Sequence, residues 1–163
     1  MAIMPLGTGR SCEVIAHVQS FRVSMVIVVD TNVLVSALLG SGPANRLIDA
    51  CLQRRFEPIV GTALFSEYEA VMGRDVLFAR SLLERAERDT VLDAFLSACR
   101  WVRIYYAWRP NLRDEGDNHL VELAVAGGAQ AIITRNVRDL RSGDLRFDEI
   151  AVLTPQQLLG ETP

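Results

Sequence analysis

"VIVVDTNVLVSA", Val26 to Ala37, decides the fold: four β-branched residues run without a polar break into Asp30, Thr31 and Asn32, and the chain then turns apolar again. An uninterrupted β-branched run marks a strand buried on both faces, as in a parallel sheet covered by helices. A carboxylate at the end of such a strand needs a reason, because an unpaired charge removed from water is costly or forces a raised pKa. One reason is local: Asp30 or Thr31 capping a helix that starts near Asn32.

Outward from this stretch, element types alternate. Ser41, Gly42 and Pro43 break the chain, and Ala44 to Gln53 carries Leu47, Ile48, Cys51 and Leu52 at helical spacing. Phe56 to Val60 reads as a second strand. Thr62 is placed to cap a helix through Met72, with Leu64, Phe65, Tyr68, Val71 and Met72 as its apolar stripe. Val76 to Cys99 predicts one or two further helices, with Leu82, Leu83, Ala86, Leu92, Phe95, Leu96 and Cys99 facing inward. Trp101 to Tyr106 predicts a third strand, and Trp101, Tyr105 and Tyr106 are expected to pack in its core. Asp117 to Ala126 predicts a helix ended by Gly127 and Gly128, and Ala131 to Thr134 a fourth strand. Ile150 to Leu153 gives a fifth strand, with Pro155 opening a short last helix. Strands alternating with helices imply right-handed βαβ units, an α/β fold with a mostly parallel central sheet.

The chain has 163 residues, half of them hydrophobic, which suits one domain. Met1 to Ser24 lack sustained periodicity and read either as a poorly structured N-terminal extension or as residues ahead of a true start at Met25; the domain is expected over 25–159. All 17 basic residues are arginine, so lysine Schiff-base, lysine-nucleophile and P-loop lysine mechanisms are excluded. The 20 acidic residues leave a mildly negative chain, which neither requires nor excludes a local basic patch. Cys12, Cys51 and Cys99 are widely spaced and odd in number, the pattern of free thiols rather than a disulfide framework or zinc knuckle. No long apolar segment suggests a signal peptide or a membrane span, so the expected location is cytoplasmic, with no membrane partner.

Function in an open α/β sheet gathers at the carboxyl ends of the strands. Asp30 ends the first. Glu67 lies nearer the apolar stripe of its helix than Glu69 does. Asp114, Glu115 and Asp117 crowd the start of the Asn118 helix, where they either favour the macrodipole or share a cation. "TRNVRDL" puts Thr134, Asn136 and Asp139 after the fourth strand. Carboxylates without histidine or cysteine partners form a hard-oxygen site suited to Mg²⁺ or Mn²⁺, which activates water for phosphodiester hydrolysis.

These motifs carry a family resemblance. "VVDTNVLVSALL", "ALFSEYEAV", "RDEGDNHLVELAVAGGAQAIIT" and "TRNVRDL", in this order from Met25 to about Leu159, resemble the PIN-domain family, particularly the VapC-like toxins of bacterial type II toxin-antitoxin pairs. The resemblance implies a three-layer α/β/α Rossmann-like fold, divalent-metal-dependent cleavage of RNA, a small cognate antitoxin as partner, and homodimerisation. It implies Asp30, Glu67 and Asp117 as the core catalytic and metal-binding acids, with Asp114 accompanying them. Where the family often has a further acid this chain has Asn136; either Asn136 serves as a neutral group or Asp139 completes the site, and without a charge there a one-metal mechanism follows. Thr31, Asn32 and Thr134 are candidates for orienting the carboxylates, while capping of the first helix falls mainly to Thr31 and Asn32.

Arg135, Arg138, Arg141 and Arg146 on one side, with Arg109 and Arg113 on the other, flank the expected crevice and suit RNA phosphates; Arg135, Arg138 and Arg113 are the leading candidates. Trp108 is a candidate for base stacking. His119 reads as a helix-surface residue, with general acid as the alternative. Two other readings stay open: a catalytically weak PIN-fold module that binds RNA or antitoxin, and a haloacid-dehalogenase-type phosphatase. The second is disfavoured by Asn32 in place of a second aspartate and by the missing lysine.

Overall fold

The computed structural model describes residues 24–40, 42–105, 118–140 and 149–160. Five strands, β1 (Met25–Val29), β2 (Phe56–Val60), β3 (Arg100–Trp101), β4 (Ala131–Ile133) and β5 (Ala151–Leu153), form one sheet in the order β3-β2-β1-β4-β5, with every pairing parallel. The helices are α1 (Thr31–Leu39), α2 (Pro43–Leu52), α3 (Thr62–Met72), α4 (Arg85–Ala98), α5 (Asn118–Gly127), α6 (Val137–Leu140) and α7 (Pro155–Leu159), with a 3₁₀ turn at Asp75–Phe78. This is the three-layer α/β/α arrangement expected. The β-branched run of β1 is its centre: Ile27, Val28 and Val29 are buried between Ile59 and Val60 of β2 and Ile132 and Ile133 of β4.

Strand order explains where a site belongs. The chain moves from β1 through β2 to β3 at one edge, then returns to place β4 and β5 on the far side of β1. The reversal opens a crevice at the carboxyl ends of β1 and β4. Asp30 directly follows β1 and Thr134 directly follows β4, and the Asp30 N–H donates to Ile133 O at 2.9 Å. Behind the sheet, α5 packs on β1, β2 and β4. Its last residue, Gly127, lies so close to β2 that a Cβ there would stand 2.3 Å from Ile59 Cδ1.

Several expectations are corrected. The third strand is only Arg100–Trp101, because β2, its one neighbour among the described residues, ends at Val60; Val102 N–H still reaches Val60 O at 2.8 Å. Alternation there buries Val102 and leaves Trp101 half exposed, edge-on to Phe65 at 5.7 Å, and Tyr105 mostly exposed, so these two aromatics are not core residues. Tyr106 lies outside the described residues. Leu82 is 99% exposed because residues 79–84 turn before α4 begins, and Ala86, in the first turn of α4, is exposed on the helix face away from buried Arg88, Leu92 and Phe95. Gly61, not Thr62, precedes the first turn of α3, and Leu52 is exposed at the end of α2.

Buried Arg88 anchors those turns. Its guanidinium lies 4.4 Å from the Phe78 ring centre, 3.0 Å from Asp75 Oδ1, and donates to Leu83 O at 3.2 Å. One side chain of α4 therefore fixes the 3₁₀ turn, which carries Leu77 to the wall of the crevice.

Candidate active site

The cleft at the β1–β4 reversal has a volume of ≈ 380 Å³ and is lined by Asp30, Thr31, Asn32, Val35, Glu67, Val71, Leu77, Arg135 and Asn136. Asp30 both ends β1 and caps α1. Its backbone is extended (φ −66, ψ 147), and its Oδ1 accepts the Asn32 N–H at 3.1 Å. Capping therefore belongs to Asp30; Thr31 is already the first helical residue, which corrects the assignment of that role to Thr31 and Asn32.

The other oxygen of Asp30 is held from two elements. Thr134 Oγ1 donates to Oδ2 at 2.6 Å, and Asn32 Nδ2 donates to the same atom at 2.6 Å. Asn32 Nδ2 also reaches Thr134 Oγ1 at 3.1 Å, and Asn32 Oδ1 accepts the Arg135 N–H at 3.0 Å. Thr134 Oγ1 in turn accepts the Asn136 N–H at 3.0 Å. This network locks the carboxylate between α1 and the loop after β4. Burial nevertheless raises the Asp30 pKa; the bonds from Thr134 and Asn32 oppose the rise, and the Glu67 charge adds to it.

Glu67 faces the cleft from α3, whose Leu64, Tyr68 and Met72 are buried while Phe65 and Val71 are partly buried; Glu69 is exposed. Its Oε2 is 3.1 Å from His119 Nε2 of α5, and that contact is the main cause of its lowered pKa, opposed by burial and assisted by Thr31 and Arg74. His119 is thus not a helix-surface residue: its side chain is 20% exposed and turned toward Glu67. Tyr68, read in the sequence only as core, donates its phenol to Val29 O. No sequence signal separates that role from ordinary apolar packing. Burial is also the main cause holding its pKa well above the usual tyrosine value.

Of the sequence candidates, the structure brings Asp30, Thr31, Asn32, Glu67, Thr134, Arg135 and Asn136 together. Asp139 and Arg138 lie on α6, exposed and not among the residues lining the cleft. Asp114, Asp117 and Arg113 lie outside the described residues, as do Arg109, Arg141, Arg146 and Trp108. Among the described residues no three His, Cys, Asp or Glu side chains converge as a metal site on their own. What those residues do offer fits a hard cation. The donors lining the cleft are oxygens, with the His119 ring against Glu67 behind them; Thr31 Oγ1 and Glu67 Oε2 are buried without a hydrogen bond of good geometry, and of the two carboxylates facing the cleft Asp30 is raised in pKa and Glu67 lowered.

The class is set by these features: a doubly wound parallel sheet with an acidic cleft at its topological reversal. The chain belongs to the PIN-domain family, whose model matches residues 26–138. Its fold is similar to a chain in the crystal structure of VapBC2 from Rickettsia felis bound to a DNA fragment from their promoter. The identity is 14% and the TM-score 0.53, with 78% of this chain and 97% of that chain covered. No curated protein matches the sequence. Among the described residues no helix is long and apolar enough to cross a membrane.

Proposed function

We propose that this PIN-domain protein is a hydrolase of RNA phosphodiesters that depends on Mg²⁺ or Mn²⁺ and acts as the toxin of a toxin-antitoxin pair. One observation carries the reading: a buried carboxylate, Asp30, is braced by Thr134 and Asn32 at the sheet's reversal and shares its cleft with Glu67. A structural cap would be served equally well by a neutral Ser or Asn. The Glu67 charge adds to the raised pKa of Asp30, and a cation shared by the two acids would offset it.

Asp30 and Glu67 would hold the metal, with Asp117 and Asp114 completing the set as the sequence resemblance implies. When bound, the metal supplies a more acidic water and charge compensation at the phosphate. The chain's own residues do the rest. Thr134 and Asn32 favour the ionised form of Asp30 and fix its direction, and His119 favours the ionised form of Glu67. Arg135, on the cleft wall, would meet phosphate, and Arg138 and Arg113 are the further phosphate-binding candidates that the sequence supplies. Asn136 on the wall and Asp139 beyond it support the neutral alternative for that position. The VapBC2 neighbour and the motif resemblance support a small antitoxin as partner, while a cytoplasmic location and a homodimeric toxin rest on the resemblance.

The test is cleavage of structured RNA with Mn²⁺ or Mg²⁺, beside Asp30→Asn and a chelator control. Metal-dependent cutting that Asp30→Asn abolishes is expected. Equal cutting by both proteins overturns the assignment. RNA binding without cutting by the wild type supports a binding module instead, and hydrolysis of a small phosphomonoester supports a phosphatase.

A further inference from the structure

We propose that Tyr68 is a positioning residue whose phenol ties α3 to the carboxyl end of β1 and so sets the spacing between Glu67 and Asp30. The inference rests on the reading of those two acids as metal-binding.

Tyr68 is 1% exposed, and its hydroxyl donates to Val29 O. A buried hydroxyl is costly unless it is bonded, and phenylalanine would fill nearly the same space without that cost. The bond made is a specific one. Successive residues of a parallel strand direct their backbone groups to opposite neighbours, and the Asp30 N–H faces β4, so the Val29 carbonyl faces β2. The β1–β2 pairing has its last register pair at Val28 and Ile59, and the phenol takes the carbonyl just beyond it.

The two ends of this bond are each one residue from an acid: Val29 precedes Asp30, and Glu67 precedes Tyr68. The ring itself is set edge-on against Phe95 of α4, with centroids 6.1 Å apart at 65°. Sliding α3 along the sheet would break the Val29 bond and move Glu67 relative to Asp30. Displacements near 1 Å in a catalytic constellation cost on the order of 100-fold, so this bond is a control on the site and more than a filler of the core.

The test compares wild type, Tyr68→Phe, Phe95→Leu and a protein with 4-aminophenylalanine at position 68. Mn²⁺ affinity is read from the free-ion electron paramagnetic resonance signal, alongside melting temperature and steady-state RNA cleavage. Tyr68→Phe is expected to melt near the wild type and to bind Mn²⁺ about tenfold more weakly, the scale of losing a group that orients a ligand. Its kcat falls while KM for RNA holds. The amino variant, which keeps a donor, restores the affinity. Phe95→Leu loosens packing, lowers the melting temperature and leaves Mn²⁺ affinity unchanged.

Wild-type affinity and rate in Tyr68→Phe overturn the proposal alone. Equal losses in Tyr68→Phe and Phe95→Leu, or a Tyr68→Phe chain that fails to fold beside a folded Phe95→Leu, also overturn it, because the hydroxyl is then an ordinary core bond. A wild type that neither binds Mn²⁺ nor cuts RNA overturns the metal-dependent reading and this inference with it.

Discussion

Thr134→Val removes the hydroxyl on which the Asp30 network turns while preserving shape. Thr134 is fully buried, and its Oγ1 donates to Asp30 Oδ2 at 2.6 Å, accepts Asn32 Nδ2 at 3.1 Å and accepts the Asn136 N–H at 3.0 Å. The bond to an ionised carboxylate is worth about 1.5–3 kcal/mol and an ordinary bond about 1 kcal/mol. Asn136 is exposed, so water can take over its N–H, and Asn32 Nδ2 keeps Asp30 as a partner. The expected loss at neutral pH, by urea unfolding without added metal, is therefore that of the one uncompensated bond, about 1.5–3 kcal/mol. Thr134→Ser, which keeps the hydroxyl, recovers most of it.

The pH dependence follows from Asp30. Its folded pKa is raised, so in the wild type the native state takes up this proton before the unfolded chain does. Its own contribution is fully present below the unfolded pKa and is lost as pH rises through the folded one. The Thr134 bond opposes that loss by favouring the charged form, and removing it raises the Asp30 pKa further. The variant's deficit is therefore largest where Asp30 is ionised and narrows toward about 1 kcal/mol in acid, where only a neutral bond is missing. A deficit below about 0.5 kcal/mol at neutral pH, the range of an inert surface change, or one that widens in acid, refutes the reasoning.

The remaining predictions concern the other walls. His119→Asn removes the main cause of the lowered Glu67 pKa, so Glu67 titrates higher and the acid limb of the cleavage profile moves to higher pH, read from kcat/KM against pH. Glu67's lowered pKa contributes stability above its unfolded value and loses it as pH falls through the folded one, so this variant sheds that contribution at neutral pH. Gly127→Ala forces a methyl against Ile59 and Val102 and is expected to cost about 1–3 kcal/mol in urea unfolding, with Ile59→Val recovering part of it because the atom at 2.3 Å is Ile59 Cδ1. Asn136→Ala is expected to lower RNA cleavage while Asp139→Ala leaves it near wild type, in parallel rate measurements, since Asn136 lines the cleft and Asp139 does not.

What the sequence by itself determined was whatever local pattern encodes. The β-branched Val26 to Val29 could only be a covered strand, the stripe from Leu64 to Met72 set α3 and the direction of Glu67, and the alternation of elements set a parallel sheet. The same patterning put Asp30 and Thr134 at strand ends. The third strand was overdrawn because its length depends on where β2 stops, which no residue of 101–106 records. Leu82 shares the helical spacing of α4 although it lies in the turns before it, and spacing alone does not mark where the helix starts. Tertiary structure alone decided that Asp30 is gripped by Thr134, that His119 meets Glu67, and that the Tyr68 hydroxyl reaches Val29 O. Those pairs are joined across the sheet or between helices, at distances in sequence of 104, 52 and 39 residues, and periodicity carries no information over such separations.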